Sequence, residues 1–162
     1  MIKKITQNLS YKELDSSDEL PAELAELLIQ AKIAIATAYA PYSNFYVGAV
    51  AKLINGEIVA GTNQENASYP VGICAERVLL GNAATLYPGI AIDTIAVSYD
   101  GHETKSDHPI SPCGMCRQSL LEYESRVNNS IRLILAGQQG KVYILKSARF
   151  LLPFAFSKEE MG

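Results

Sequence analysis

The stretch Phe45-Tyr46-Val47-Gly48-Ala49-Val50-Ala51-Lys52-Leu53-Ile54-Asn55-Gly56-Glu57-Ile58-Val59-Ala60-Gly61 decides how the chain is read. Two apolar runs, Phe45 to Ile54 and Glu57 to Gly61, flank Asn55-Gly56. Asn-Gly between such runs is the strongest short hairpin signal, because both positions of the tight turn need φ > 0. The first two strands are therefore expected to be antiparallel neighbours. Downstream, Ile131 to Ala136 and Val142 to Leu145 are separated only by Gly137-Gln138-Gln139-Gly140. A parallel crossover takes a dozen or more residues, so this pair should also be antiparallel. Thr94 to Ser98 reads as a fifth, short strand. Helices are expected from Cys74 to Leu86, ended by Pro88-Gly89, and from Cys113 to Tyr123. A helix from Pro21 to Tyr39 precedes the hairpin. Pro21 fits a first turn, where its missing N–H costs nothing, and Pro41 stops the helix. Leu24, Leu27, Leu28, Ala31 and Ile35 lie at helical spacing along it. A short helix near the end of the chain completes the order. Helices alternating with a mostly sequential sheet predict a layered α/β sandwich with a mixed sheet.

The chain has 162 residues, which fits one domain able to bury about 70% of its unfolded surface without disulfide staples. Its 48% apolar and 19% charged content argues against disorder. Residues 1–20 are polar, become acidic toward Glu19, and read as a lead-in with a short edge strand at Lys3 to Leu9. Residues 21–162 read as a single catalytic domain. A net charge of −3 leaves no electrostatic footprint for nucleic acid. The longest uncharged stretch, Ile33 to Ala51, is broken by Pro41, Ser43 and Asn44 and does not read as a membrane span. No apolar run follows Lys3-Lys4, so no secretory signal is expected. The three cysteines, Cys74, Cys113 and Cys116, cannot all pair within one chain. That favours a reduced, cytoplasmic setting with metal or thiol chemistry.

Two segments carry chemistry: Cys74-Ala75-Glu76-Arg77 and Pro112-Cys113-Gly114-Met115-Cys116-Arg117-Gln118. Each opens an expected helix, whose free N–H groups and dipole stabilise a thiolate. Cys113 and Cys116 are three apart and can face one point. Three converging thiolates suit zinc, and a three-ligand site leaves the open position of a catalytic rather than a structural metal. Glu76 is the candidate proton shuttle. Positions two apart on a helix do not face each other, so Cys74 must sit at the very helix edge with the metal beyond it. Three thiolates on Zn²⁺ leave a net negative charge, and the two helix N-termini and Arg77 are the candidates for withdrawing it. A redox Cys-x-x-Cys, or a structural zinc closed by His102 or His108, are competing readings of the same cysteines. The first leaves Cys74 and Glu76 unexplained. The second stabilises a fold that is large enough without it.

The sequence resembles the cytidine deaminase family, small nucleoside deaminases with a three-cysteine zinc site. The resemblance runs from about Leu27 to Glu159 and is carried by four blocks in order. They are Pro41 to Phe45 with Val47-Gly48-Ala49; Gly61 to Pro70 followed by Cys74 to Arg77; Ser111 to Gln118; and Leu151-Leu152-Pro153 with Phe156. It implies a three-layer α/β/α sandwich with a mixed five-stranded sheet and one Zn²⁺ per chain. Cys74, Cys113 and Cys116 would be the ligands and Glu76 the proton shuttle. Asn63 and Glu65 would hold the ribose, Phe45 would wall the pocket, and the Ala75 backbone would contact the base. Ala67, Tyr69 and Phe156 would serve a neighbouring subunit's site in a homotetramer. A tail following a terminal helix packed outside the sheet reaches a neighbour's site more simply than its own. Phe154, the loop Asp100 to Ser111 and the long lead-in depart from the family pattern.

The activity implied is zinc-dependent hydrolysis of the 4-amino group of cytidine or deoxycytidine in pyrimidine salvage, releasing ammonia. Two alternatives are a deaminase of another small aminopyrimidine nucleoside and a structural-zinc interaction domain. Asn63 and Glu65 as a ribose grip argue against the first. A polynucleotide substrate is disfavoured by the acidic balance, and by cysteine rather than histidine at position 74.

Overall fold

The hairpin forms as read: β2 (Phe45–Leu53) pairs antiparallel with β3 (Ile58–Thr62). Its turn differs from the expected one. Only Gly56 takes a positive φ, +90°, while the Gly56 N–H bonds the Leu53 carbonyl and the Leu53 N–H bonds the Glu57 carbonyl. A single left-handed glycine closing a slightly longer turn replaces the two-residue form, because Asn55 uses its side chain to accept the Glu57 N–H instead.

The computed structural model describes residues 2–161, so the first residue of the expected lead-in and the last of the expected catalytic domain lie outside it. The remaining elements are β1 (Lys12–Leu14), α1 (Ala22–Ala34), α2 (Ala75–Leu86), β4 (Ile92–Gly101), α3 (Gly114–Val127), β5 (Arg132–Ala136) and β6 (Val142–Leu145). They build one sheet in the order β1-β6-β5-β4-β2-β3. Only β4 and β5 run parallel; the other neighbouring pairs are antiparallel. Strand alternation sends two sets of side chains to opposite faces. Val50, Ala96, Ile134 and Val142 pack with Leu27, Leu28 and Ala31 of α1. Ala49, Ala51, Ile95, Val97 and Leu133 pack with Ala75, Leu79, Ala83 and Leu120 of α2 and α3. The result is an α/β/α sandwich around a mixed sheet.

The sheet has six strands rather than five. The expected edge strand at Lys3 to Leu9 does not form; Lys12–Leu14 forms it instead, against β6. There Leu14 lies opposite Val142 and packs on the core beside α1, whereas the polar stretch before it offers no such alternation. β4 is longer than Thr94 to Ser98 because it pairs with β2 along nearly its whole length, from Phe45↔Gly101 to Leu53↔Ile92. Long-range pairing here overrides the interruption by Asp93 and Asp100. α1 ends at Ala34 and tightens into a 3₁₀ turn at Ile35–Thr37, where the Thr37 hydroxyl donates to the Ala34 carbonyl. The expected terminal helix is two short 3₁₀ turns, Ala148–Leu151 and Lys158–Met161.

Two features position the site. β3 and β4 run in the same direction and β2 runs against them, so the ends of β3 and β4 meet the start of β2 at one end of the sheet. Gly61, in β3, lies flush against α2: a Cβ there would sit 2.5 Å from the Ala75 carbonyl and 2.3 Å from the Leu79 nitrogen. No side chain fits, so the first turn of α2 lies directly on the sheet.

Candidate active site

Cys74 is the N-cap of α2 and Cys113 the N-cap of α3, both in extended backbone and neither bonding its helix through the side chain. The helix-edge requirement is therefore met: both cysteines stand at the helix ends, and neither sulfur is spent on capping its own helix. Cys116, one turn into α3, is fully buried. The three Sγ atoms lie within 4.8 Å of one another, with 3.7 Å between Cys74 and Cys113 and 3.5 Å between Cys113 and Cys116. The Cys74 thiol is held at about 6, chiefly by the hydrogen bond from Cys116 and then by Cys113 and the Arg77 charge, against burial and Glu76. The Cys116 thiol is pushed up by its bond to Cys74 and by burial. Three sulfurs this close, at two helix N-termini, form a soft donor set that a single cation suits. Cys74, Cys113 and Cys116 would hold zinc.

Glu76 is 6% exposed and reaches Cys116 from the second residue of α2. Burial pushes its carboxyl above the usual range, opposed by its own backbone N–H and by the Cys116 thiol. A desolvated carboxylate beside a metal position is placed to take and return protons. Arg77 is half-buried in the same turn, and Ala75, the first residue of α2, is fully buried. His102 and His108 stand outside the metal cluster, which among the described residues is made of the three cysteines alone.

Three of the residues expected at sugar and base, Asn63, Glu65 and Phe45, are linked by hydrogen bonds. The Asn63 side chain accepts from the Val47 N–H and donates to the Phe45 carbonyl, each at 2.8 Å, tying the end of β3 to the start of β2. The Glu65 carboxylate accepts from the backbone N–H of Tyr42 at 2.9 Å, from that of Ser43 at 3.3 Å, and from the Ser43 hydroxyl. Burial works to raise the Glu65 carboxyl, but the Ser43 hydroxyl and these two N–H groups outweigh it and hold it below the usual carboxylate range. The Ser43 hydroxyl also accepts the Phe45 N–H at 3.1 Å. Ser43 thus links Glu65 to Phe45, a role its place in the Pro41 to Phe45 block does not reveal. The polar-residue turn before the strand is the only sequence signal for it.

Ala67, Tyr69 and Phe156 are all exposed, Tyr69 at 73% and Phe156 at 60%. The tail takes a different course from the expected one. Gln118 donates to the Phe156 carbonyl at 2.8 Å and Arg117 to the Leu151 carbonyl at 3.1 Å. The tail therefore turns back along α3, the helix that carries Cys113 and Cys116, instead of packing as a helix outside the sheet. It returns because the 3₁₀ turn at Ala148–Leu151 is tied to α3 by Glu124, whose buried carboxylate accepts from the Ala148 N–H and the Ser147 hydroxyl.

The family model for the cytidine and deoxycytidylate deaminase zinc-binding region matches residues 22–130. A cytidine deaminase of Sporosarcina psychrophila is 36% identical over 141 residues, covering 86% of this chain and 96% of that protein. One of Halalkalibacterium halodurans is 37% identical over 125 residues, covering 77% of this chain and 87% of its own length. Among solved structures, the cytidine deaminase of Burkholderia pseudomallei superposes with a TM-score of 0.71 at 40% identity, covering 85% of this chain and 100% of that one.

Proposed function

Since this chain belongs to the cytidine and deoxycytidylate deaminase family, we propose a division of labour among its residues for the zinc-dependent hydrolysis of cytidine and deoxycytidine to uridine and deoxyuridine. One observation carries the reading: three thiols converge within 4.8 Å at two helix N-termini, with the buried Glu76 carboxylate against one of them. When bound, zinc supplies a Lewis acid that makes a water acidic near neutral pH. Glu76 takes a proton from the attacking water and delivers it to N3 as the water oxygen adds to C4. It then carries the remaining hydroxyl proton to the amine, the C4–N bond breaks, and ammonia leaves the uridine product. The free helix N-termini and Arg77 offset the negative charge of three thiolates.

In the same reading Asn63 and Glu65 hold the ribose, Phe45 walls the base, and the Ala75 backbone contacts it. The free base cytosine should then be a far poorer substrate than cytidine. Glu65→Ala should lower kcat/KM for cytidine by about 10–100-fold, the loss of hydrogen bonds to a charged group, while changing cytosine turnover much less. Equal efficiency on the two substrates in the parent enzyme would refute the ribose grip.

The catalytic unit in this reading is residues 21–162, with 1–20 as a lead-in, working in the reducing cytoplasm as a pyrimidine-salvage enzyme. Ala67, Tyr69 and Phe156 serve a neighbouring copy in a homotetramer. Supporting this, Tyr69, Val71, Phe154 and Phe156 are 60–88% exposed in one copy, large apolar side chains that a second copy can cover. No helix among the described residues is long and apolar enough to cross a membrane. Light scattering should give four chains per particle. Mixing Phe156→Ala chains with Glu76→Gln chains, each poor alone, should restore part of the activity through hybrid sites. A fully active monomer would overturn the shared site.

A further inference from the structure

The loop after β4 departs from the family pattern, and the deaminase reading leaves it without a role. It is nevertheless tightly held. Ser106 is 3% exposed and takes a left-handed φ of +39°. Its hydroxyl accepts the Gly101 N–H at 3.0 Å and donates to Asp100 at 3.3 Å, and its carbonyl accepts the Gln138 N–H at 2.7 Å. The turn between β5 and β6 is shaped to receive it. A Cβ at Gly137 would lie 2.1 Å from the Ser106 carbonyl oxygen, and one at Gly140 2.1 Å from that of Asp107. No residue but glycine leaves room at either place. Gln138 completes the clamp by donating to the Tyr99 carbonyl at 2.9 Å.

What this clamped loop touches is Tyr99, the third-last residue of β4, 1% exposed. A buried tyrosine needs a partner for its hydroxyl. Here the partner is His108: the hydroxyl lies 3.4 Å from Nδ1, which is also 3.1 Å from the Asp107 carboxylate. Within the core, the Tyr99 ring also stacks on the Phe45 ring, at 5.0 Å between centroids and 19° between planes. Phe45 also covers Gly101, where a Cβ would meet its Cδ2 at 3.1 Å. Asp107, His108, Tyr99 and Phe45 therefore form one chain of contacts from the loop to the residue that walls the base.

We infer that Tyr99 and His108 are positioning residues for the nucleoside: the loop at 102–111, docked on the Gly137–Gly140 turn, fixes the Tyr99 hydroxyl, and the Tyr99 ring fixes the plane of Phe45. The inference rests on Phe45 walling the base. Its effect falls on how firmly the substrate is gripped and not on proton transfer, because neither Tyr99 nor His108 belongs to the cysteine cluster, and neither is among the groups that act on the Glu76 carboxyl. A loop that served only the fold would alter the melting temperature and leave the substrate dependence alone.

The test is steady-state kinetics of the zinc-loaded enzyme on cytidine. Tyr99→Phe keeps the ring and removes only the hydroxyl; His108→Ala removes its partner. Each should raise KM on the order of 3–10-fold, the effect of one modest hydrogen bond, with kcat within about twofold and zinc content unchanged. The double variant should be no worse than the poorer single, because both break the same contact. His108→Asn, which restores a polar group near the hydroxyl, should recover most of the loss. Phe45→Leu, measured alongside, separates the two claims. If it raises KM while Tyr99→Phe and His108→Ala do not, the positioning role is overturned and the wall stands. If it leaves KM unchanged, the wall itself fails and the positioning role fails with it. Loss in kcat alone, or fully additive KM effects in the double variant, would also contradict the inference.

Discussion

Replacing Glu76 by glutamine should reduce cytidine turnover by at least about 10²–10⁴-fold, the usual range for a lost general acid–base group, while the protein keeps its zinc. Glutamine matches the size and most of the hydrogen bonding of glutamate but cannot accept a proton. Glu76 is buried at the start of α2, so the substituted amide stays where the carboxylate was, against Cys116. Removing a desolvated charge beside the metal does not weaken the fold, and melting should show an unchanged or slightly raised Tm. Metal analysis and turnover measured on the same sample separate the shuttle from the ligands. Near-normal turnover with full zinc would show that another group moves the protons.

Cys113→Ala should abolish both zinc binding and activity while leaving the metal-free fold nearly intact. Cys113 is exposed and is the N-cap of α3, yet its sulfur caps no backbone N–H. Alanine there costs no helix-capping hydrogen bond, only the weak thiol contacts to Cys74 and Cys116, and at an exposed position it leaves no buried cavity. What disappears is one of three thiolates, and two sulfurs no longer make a site that competes for zinc. The same substitution at Cys116, which is fully buried, would mix metal loss with a packing defect, so Cys113 is the cleaner test. A Cys113→Ala protein that retains one zinc and normal turnover would refute the ligand assignment.

The chemistry of this chain is written in short local patterns, which is why much of it could be read before the fold. A cysteine directly before each of two helices, with a glutamate two residues after the first, specifies helix edges, and the folded chain puts both cysteines at N-caps. The hairpin and the antiparallel β5–β6 pair follow from turn composition and connection length alone. The parts that escaped depend on partners far away in sequence. β1 exists because Leu14 meets β6 more than a hundred residues later, and a three-residue strand carries no periodicity of its own. The full length of β4 comes from pairing with β2 rather than from its own residues. Glu124 is buried where the Ser147 turn returns to α3, a setting made by a segment more than twenty residues away that its own neighbours do not signal. Ser43 and Tyr99 each act through a neighbour, Ser43 by bridging Glu65 to Phe45 and Tyr99 by backing Phe45, and neither residue type signals such a role.

Zinc titration into metal-stripped enzyme, with ammonia release from cytidine as the readout, tests the central claim most directly. Activity should be absent before addition, rise in proportion to added zinc, and stop rising at about one zinc per chain, because a single site uses all three cysteines. Full ammonia release from the stripped protein in chelator-treated buffer, or none at saturating zinc, would contradict the account.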